Sequence, residues 1–240
     1  MSTIGITPPR TKSVKAFEEY LSPSRLTKPN HTEQKNKIMK RATLGAALMI
    51  AALSSLCLTA DCRGEEVFFE DAFKTQDPAW GKNAEISDGK LVLSEDKASR
   101  RTVINQSAIF QDMTLGITAR LLNGARGSSF GVVFLAKDYN DWYSVGINWS
   151  GQLSVFRWVG ERYLVPVAWR VCPEVASGLG KPNAIEVLVR GKAVTINING
   201  KDVVTFNRQM PAGGGSIGFF VEGDEKEKTV AEFSKLKVTK

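Results

Sequence analysis

Hydrophobic and polar residues alternate with period two in short runs along residues 67–240, and no helical periodicity lasts beyond two turns. Alternation at that period sends successive side chains to opposite faces of a strand, so the pattern predicts an all-β protein. The clearest runs are LVLS (91–94), TLGITARLL (114–122), FGVVFLA (130–136), WYSVGINW (142–149) and LSVFRWV (153–159). AIEVLVR (184–190), AVTININ (193–199), VVTF (203–206), SIGFFVE (216–222) and VAEFSKLKV (230–238) continue the series. Ten or more strands in about 175 residues suit one two-layer antiparallel β-sandwich rather than two domains.

Turn chemistry supports hairpins between several of these runs. Ser150-Gly151, Gly160-Glu161, Gly191-Lys192 and Asn199-Gly200 each supply a Gly or Asn where a tight hairpin needs positive φ. Register follows from the alternation. Val194, Ile196 and Ile198 share one face while Thr195, Asn197 and Asn199 share the other, and Ile185, Val187 and Val189 repeat the pattern next door. Between Pro166 and Pro182 the alternation breaks, which predicts a long loop with one irregular strand.

The N-terminal quarter has a different character. Of the 32 Lys and Arg residues, ten fall in the first 64 positions against four of the 25 acids. The remainder carries 22 basic and 21 acidic side chains, so the net +7 belongs almost wholly to the leader. A nearly neutral folded part gives no electrostatic case for nucleic acid.

Lys35, Lys37, Lys40 and Arg41 precede an uncharged stretch from Ala42 to Ala60 that ends in small residues. That is the order of a secretory signal, with cleavage after Ala60 or Gly64, and it predicts export to the periplasm or beyond. The stretch is also nearly long enough to span a bilayer, so an uncleaved anchor is the alternative. Positive charge before it places the rest of the chain outside the cytoplasm in both cases. The expected organisation is residues 1–38 as a disordered extension or a mis-assigned start, 39–64 as signal peptide and 65–240 as the sandwich. Met39 would then be the true start. Of the three cysteines, Cys57 leaves with the signal, and an oxidising compartment would permit a disulfide between Cys62 and Cys172 if Cys62 is retained.

With the fold class in view, the order of motifs resembles the concanavalin A-like lectin/glucanase superfamily. Phe69-x-Asp71-x-Phe73, then Asp77-Pro78, Trp80 and Asp88-Gly89-Lys90-Leu91 are similar to its opening strands. FQDMTL (110–115), FGVVF, DYNDWYSVGIN and the Gly151-x-Leu-x-Val-x-Arg157 hairpin are similar to its middle. Its closing strands are matched by N-x-I-x-V (183–187), V-x-I-x-I-N-G (194–200), G-x-I-G-F (215–219) and E-F-x-x-L-x-V (232–238). The resemblance implies a jelly-roll sandwich. It leaves function open, because laminin G-like modules, lectins, family 16 glucanases and 3-keto-disaccharide hydrolase-like domains share the architecture.

Family 16 glucanases carry E-x-D-x-x-E on a strand. Here that spacing occurs at Glu222, Asp224 and Glu227, with Gly223, Glu225 and Lys226 between, which reads as a solvated hairpin turn. Residues 65–240 contain no histidine, which removes the usual base of a Ser or Cys triad and the commonest zinc ligand. Asp138, Asn140 and Asp141 could offer oxygens to Ca²⁺, but the cluster reads more simply as a polar turn entering a strand. Gly213–Gly215 lacks the Lys and following helix of a phosphate loop.

Aromatic residues carry the sharpest signal. Trp142, Tyr143, Trp149, Phe156, Trp158, Tyr163 and Trp169 fall within 28 residues. Alternation separates Trp142 from Tyr143 and Val145, and Phe156 and Trp158 from Val155, Arg157 and Val159, so both faces of these strands carry rings. One face is core. The other is either a platform for stacking sugars or is covered by the 166–182 loop, and cover is the plainer account.

The resulting expectation is an exported, non-catalytic module binding a carbohydrate or glycan through Trp142, Trp149, Arg157, Trp158 and Tyr163, without cofactor or metal. One alternative is a glycoside-processing hydrolase resembling the 3-keto-disaccharide group, drawing paired acids from Asp141, Glu161, Glu174 and Glu186. Another is a structural or protein-interaction domain of the cell envelope, with an envelope protein as partner. Membrane contact is expected only through an uncleaved signal segment.

Overall fold

The computed structural model describes residues 65–96, 98–209, 213–224 and 227–240. The expected signal segment, His31, Cys57 and Cys62 lie outside them, and so does any pairing of Cys62 with Cys172. Among the described residues no helix is long and apolar enough to cross a membrane.

Fourteen strands form within this span. The first five are β1 (Val67–Asp71), β2 (Glu85–Ser87), β3 (Lys90–Glu95), β4 (Arg100–Phe110) and β5 (Met113–Asn123). β6 (Ser129–Asp138), β7 (Asp141–Asn148), β8 (Gln152–Val159) and β9 (Arg162–Val171) follow as successive antiparallel neighbours. The chain closes with β10 (Asn183–Arg190), β11 (Ala193–Ile198), β12 (Lys201–Asn207), β13 (Gly215–Glu222) and β14 (Thr229–Thr239).

Two antiparallel sheets result. One has eight strands in the order β12-β11-β10-β5-β14-β3-β2, with β1 also paired to β14; the other has six in the order β4-β13-β6-β7-β8-β9. This is the two-layer jelly-roll sandwich that the motif order implies.

The core lies between the layers. Ile185, Val187 and Val189 of β10 and Val194, Ile196 and Ile198 of β11 are fully buried and paired in register, as the alternation predicts. On the other face Thr195 and Thr205 exchange a hydroxyl contact of 3.0 Å. Asn199 and Gly200 take φ of 52° and 86° at the β11–β12 turn, the backbone that only residues such as these reach cheaply.

The opening motif also has a packing reason. Asp71 accepts hydrogen bonds from the backbone N–H of Phe73 at 2.7 Å and from the Trp80 indole at 2.8 Å. That tie carries Phe73 and Trp80 onto Phe219 of β13, whose ring in turn stacks on Phe233 with centroids 4.6 Å apart.

Two segments differ from the sequence expectation. RRTVINQSAIF, which shows no clean alternation, is the eleven-residue edge strand β4. Much of the expected 166–182 loop is the second half of β9, hydrogen-bonded to β8 as far as Val171. Register breaks twice along that pairing, so that Phe156 opposes both Val165 and Pro166, and Ser154 opposes both Ala168 and Trp169. A bulge on an edge strand tolerates the missing N–H of Pro166, and the extra residues hide the period-two signal.

Candidate functional site

The outer face of the six-stranded sheet carries the site. Small residues form its middle: Ser144 and Gly146 on β7 and Ser154 on β8. Large rings lie over them. A Cβ on Gly146 would stand 3.0 Å from Phe220, 3.5 Å from Phe156 and 3.7 Å from Trp169, so these three rings close over the glycine.

Beside them Trp142 stacks on Trp158 with centroids 6.4 Å apart, and Tyr163 stacks on Phe156 at 5.1 Å. The Gly160–Glu161 turn, with φ of 52° and 62°, folds β9 back so that Tyr163 pairs with Trp158. Trp142 is buried, Trp158 half-buried, and Tyr163 44% exposed.

Arg100, the first residue of β4, enters this group from the far edge. Its guanidinium carbon sits 3.9 Å from the Phe220 ring centroid and 5.1, 5.3 and 5.9 Å from those of Trp142, Phe156 and Tyr163. Ring faces attract a cation, and more strongly once it is desolvated. The guanidinium also donates to Ser144 Oγ at 3.4 Å and to Glu222 Oε2 at 3.1 Å. Burial pushes the Tyr163 phenol up to about 12, with Glu222 adding to the rise and Arg100 opposing it.

At this end of the sheet a cavity of about 690 Å³ opens. Trp142, Trp158, Tyr139 and Tyr163 supply its rings, and two arginine–glutamate pairs, Arg100–Glu222 and Arg101–Glu95, supply charge. Asn83, Asn140 and Thr102 add neutral hydrogen-bonding groups. Because rings fill the middle of the sheet at Gly146, the cavity sits at one end instead of running across the whole face.

Of the five residues grouped from the sequence, Trp142, Trp158 and Tyr163 meet here. The other two do not, and this corrects the grouping. Arg157 points to the opposite face, where it is buried against the Tyr143 ring at 4.5 Å, paired with Asp141 and donating to the Trp158 carbonyl at 2.8 Å. Alternation within β8 requires this, since Arg157 is adjacent to Trp158. Trp149 lies just beyond β7 and packs against the inter-sheet core, its indole donating to the Ala125 carbonyl at 2.8 Å under Arg126.

The four acids considered for a hydrolase do not converge. Asp141 is taken by Arg157, Glu161 is in the exposed β8–β9 turn, Glu174 neighbours buried Cys172, and Glu186 faces outward from the other sheet. Asp138 accepts from the Asn140 backbone N–H at 2.6 Å and shapes the β6–β7 turn.

Glu222 departs from the solvated-turn reading in the other direction. It ends β13 on the same face as Phe220 and lines the cavity, while Asp224 and Glu227 bridge the turn beyond. Alternation through SIGFFVE was the signal that could have placed Glu222 beside Phe220. Nothing in RRTVIN marks Arg100, whose role depends on the neighbouring strand β13.

Fold and site together define a concanavalin A-like β-sandwich domain with an aromatic-lined cavity at one end of its six-stranded sheet. The structure is similar to the catalytic domain of an endo-1,3-beta-glucanase (laminarinase) from Thermotoga petrophila RKU-1, with TM-score 0.53 at 10% identity over 73% of this chain and 98% of that one. It is also similar to carbohydrate binding module CBM66 from Bacillus subtilis, with TM-score 0.51 at 15% identity over 61% of this chain and 86% of that one. Comparison with curated protein sequences gives no significant match. Residues 67–239 match the model of one family, and the chain belongs to it: the 3-keto-alpha-glucoside-1,2-lyase-like domain family.

Proposed function

We propose that the domain binds a short saccharide, or the end of a longer glycan, in the cavity beside Trp158 and Tyr163. One observation carries this reading: partly exposed rings stand next to paired arginines and glutamates in a cavity confined to one end of the sheet. Apolar ring faces suit the C–H faces of a sugar, while charged groups bond its hydroxyls. The filled middle of the face at Gly146 favours a short ligand over an internal stretch of polymer. Family membership supports an α-glucoside oxidised at C3 as the first ligand to try.

Titration calorimetry should compare methyl α-D-3-ketoglucopyranoside, methyl α-D-glucopyranoside and soluble laminarin. The expected result is saturable binding of a small glycoside and none of laminarin's internal segments. Trp158→Ala should weaken that binding by about 1 to 3 kcal/mol, the order for one large aromatic contact. Folded protein that binds none of the probes would remove the reading.

A second reading, elimination, is favoured by the family match. In a 1,2-elimination a base takes the C2 proton, acidified by the C3 ketone. A C1–C2 double bond forms, the C1–O bond breaks, and the aglycone leaves as an alcohol once protonated. The cavity's carboxylates are Glu95 and Glu222, each engaged by an arginine. Mass spectrometry of the incubated ketoglucoside separates the readings: methanol released together with an unsaturated keto sugar one water lighter than 3-ketoglucose supports elimination, and unchanged glycoside supports binding alone.

A further inference from the structure

Resting on the binding reading above, we propose that Glu222 is the hydrogen-bond acceptor for the saccharide, and that Arg100 is the residue that positions it. The two cavity carboxylates differ in what they have left to offer. Glu95 is the less accessible: its side chain is only 12% exposed, its Oε1 accepts from the Asp96 backbone N–H at 3.0 Å, and its Oε2 is in ion-pair contact, without a hydrogen bond, with Arg101 Nε at 3.5 Å. Glu222 is anchored through one oxygen alone. Its Oε2 receives Arg100 at 3.1 Å and the Ser129 hydroxyl at 3.3 Å, while Oε1 has no partner among the described residues. The Glu222 side chain is 40% exposed and lines the cavity.

The anchor is unusually fixed for a surface ion pair. Arg100 is held among four rings and bonded to Ser144, and its side chain is 14% exposed. A guanidinium held on all sides fixes the carboxylate that it grips, so Oε1 stands as a preorganised charged acceptor beside Tyr163 and Trp142. A sugar stacked on those rings presents hydroxyl donors at its edge, and Oε1 belongs to the more exposed of the cavity's two carboxylates, 40% against 12%.

Glu222→Gln inverts this polarity without changing shape. Arg100 keeps the amide oxygen toward itself, which turns the amide NH₂ into the cavity, a donor where an acceptor stood. With methyl α-D-3-ketoglucopyranoside as the calorimetric probe, Glu222→Gln should bind about 10- to 100-fold more weakly, the range for one hydrogen bond to a charged group. Arg100→Met should give a comparable loss. Arg100→Lys, which restores the charge but not the planar fork, should recover part of it.

Wild-type binding with unchanged affinity in Glu222→Gln would overturn the assignment of Glu222 and leave the cavity reading standing. A wild-type protein that binds no probe would overturn both. Equal losses in Arg100→Met and Arg100→Lys, with both variants folded, would overturn the positioning role by charge. If Arg100→Met does not fold, Glu222→Gln and Arg100→Lys decide the matter.

Discussion

The outer faces of the two sheets are built on opposite principles. On the eight-stranded sheet, Thr114, Gly116, Thr118 and Glu186 face a shallow groove of about 300 Å³ bordered by Lys235 and Lys237, with Ala184 also lining it. On the six-stranded sheet, the outer face holds a second apolar cluster of Ile104, Val133, Ala136, Trp142 and Phe220, with Trp158 packed on it. One sheet therefore has a wet side, whereas the central strands β6, β7 and β13 of the other are buried on both faces, its edge strand β9 staying exposed. A sheet solvated on one face reads as clean alternation, whereas one covered on both reads as nearly continuous apolar sequence. β5 and β10 show the first pattern, and β6 and β13 the second. The lesson is that the candidate site lies on the face where alternation fails to show a wet side.

The largest expected effect comes from the layer that both sheets share. Phe219 is fully buried and contacts Phe73, Trp80 and Phe233. Phe219→Ala should cost about 3 to 5 kcal/mol of unfolding free energy in chemical denaturation, with the cavity left behind adding to the lost burial. A loss below 1 kcal/mol would mean that the layers are not packed as described.

A pair of glycines then sets the two outer faces against each other. Gly146→Ala would push a methyl to 3.0 Å from the Phe220 ring, and should cost about 1 to 2 kcal/mol through overpacking. Gly116→Ala meets nothing closer than 3.9 Å, and should be neutral or stabilising by up to about 1 kcal/mol as the unfolded chain loses freedom. Equal effects at the two positions in thermal melts would erase the contrast between the faces.

The smallest effect concerns pH. The Tyr163 phenol holds its proton up to about 12 in the folded protein, against an ordinary value of 10.0. Stability linked to this proton is complete below about pH 10. It falls as the unfolded chain ionises first, and is lost as pH rises through about 12. Denaturation midpoints measured across that window should drop more for wild type than for Tyr163→Phe. Parallel curves would show that the ring is as solvated as any residue on the opposite face.

The two layers were legible in the chain before any folding was considered. Period-two alternation in β5, β10 and β11 and the Asn199-Gly200 turn depend on neighbours along the chain or one strand away, so composition and spacing carry them. Chain order also brought Trp142, Trp158 and Tyr163 together, because β7, β8 and β9 are consecutive and hairpin register fixes their faces. The same rule would have removed Arg157, which follows Phe156 and precedes Trp158 on a strand where adjacent residues face apart.

What brings Arg100 and Glu222 together in the candidate site is long-range strand pairing. They sit 122 residues apart, and their contact exists because β4 and β13 pair at the edge of the six-stranded sheet, with Glu222 opposite Arg100. Pairing between distant strands is set by how two whole sheets bury their apolar faces together, a property that no local window of sequence contains.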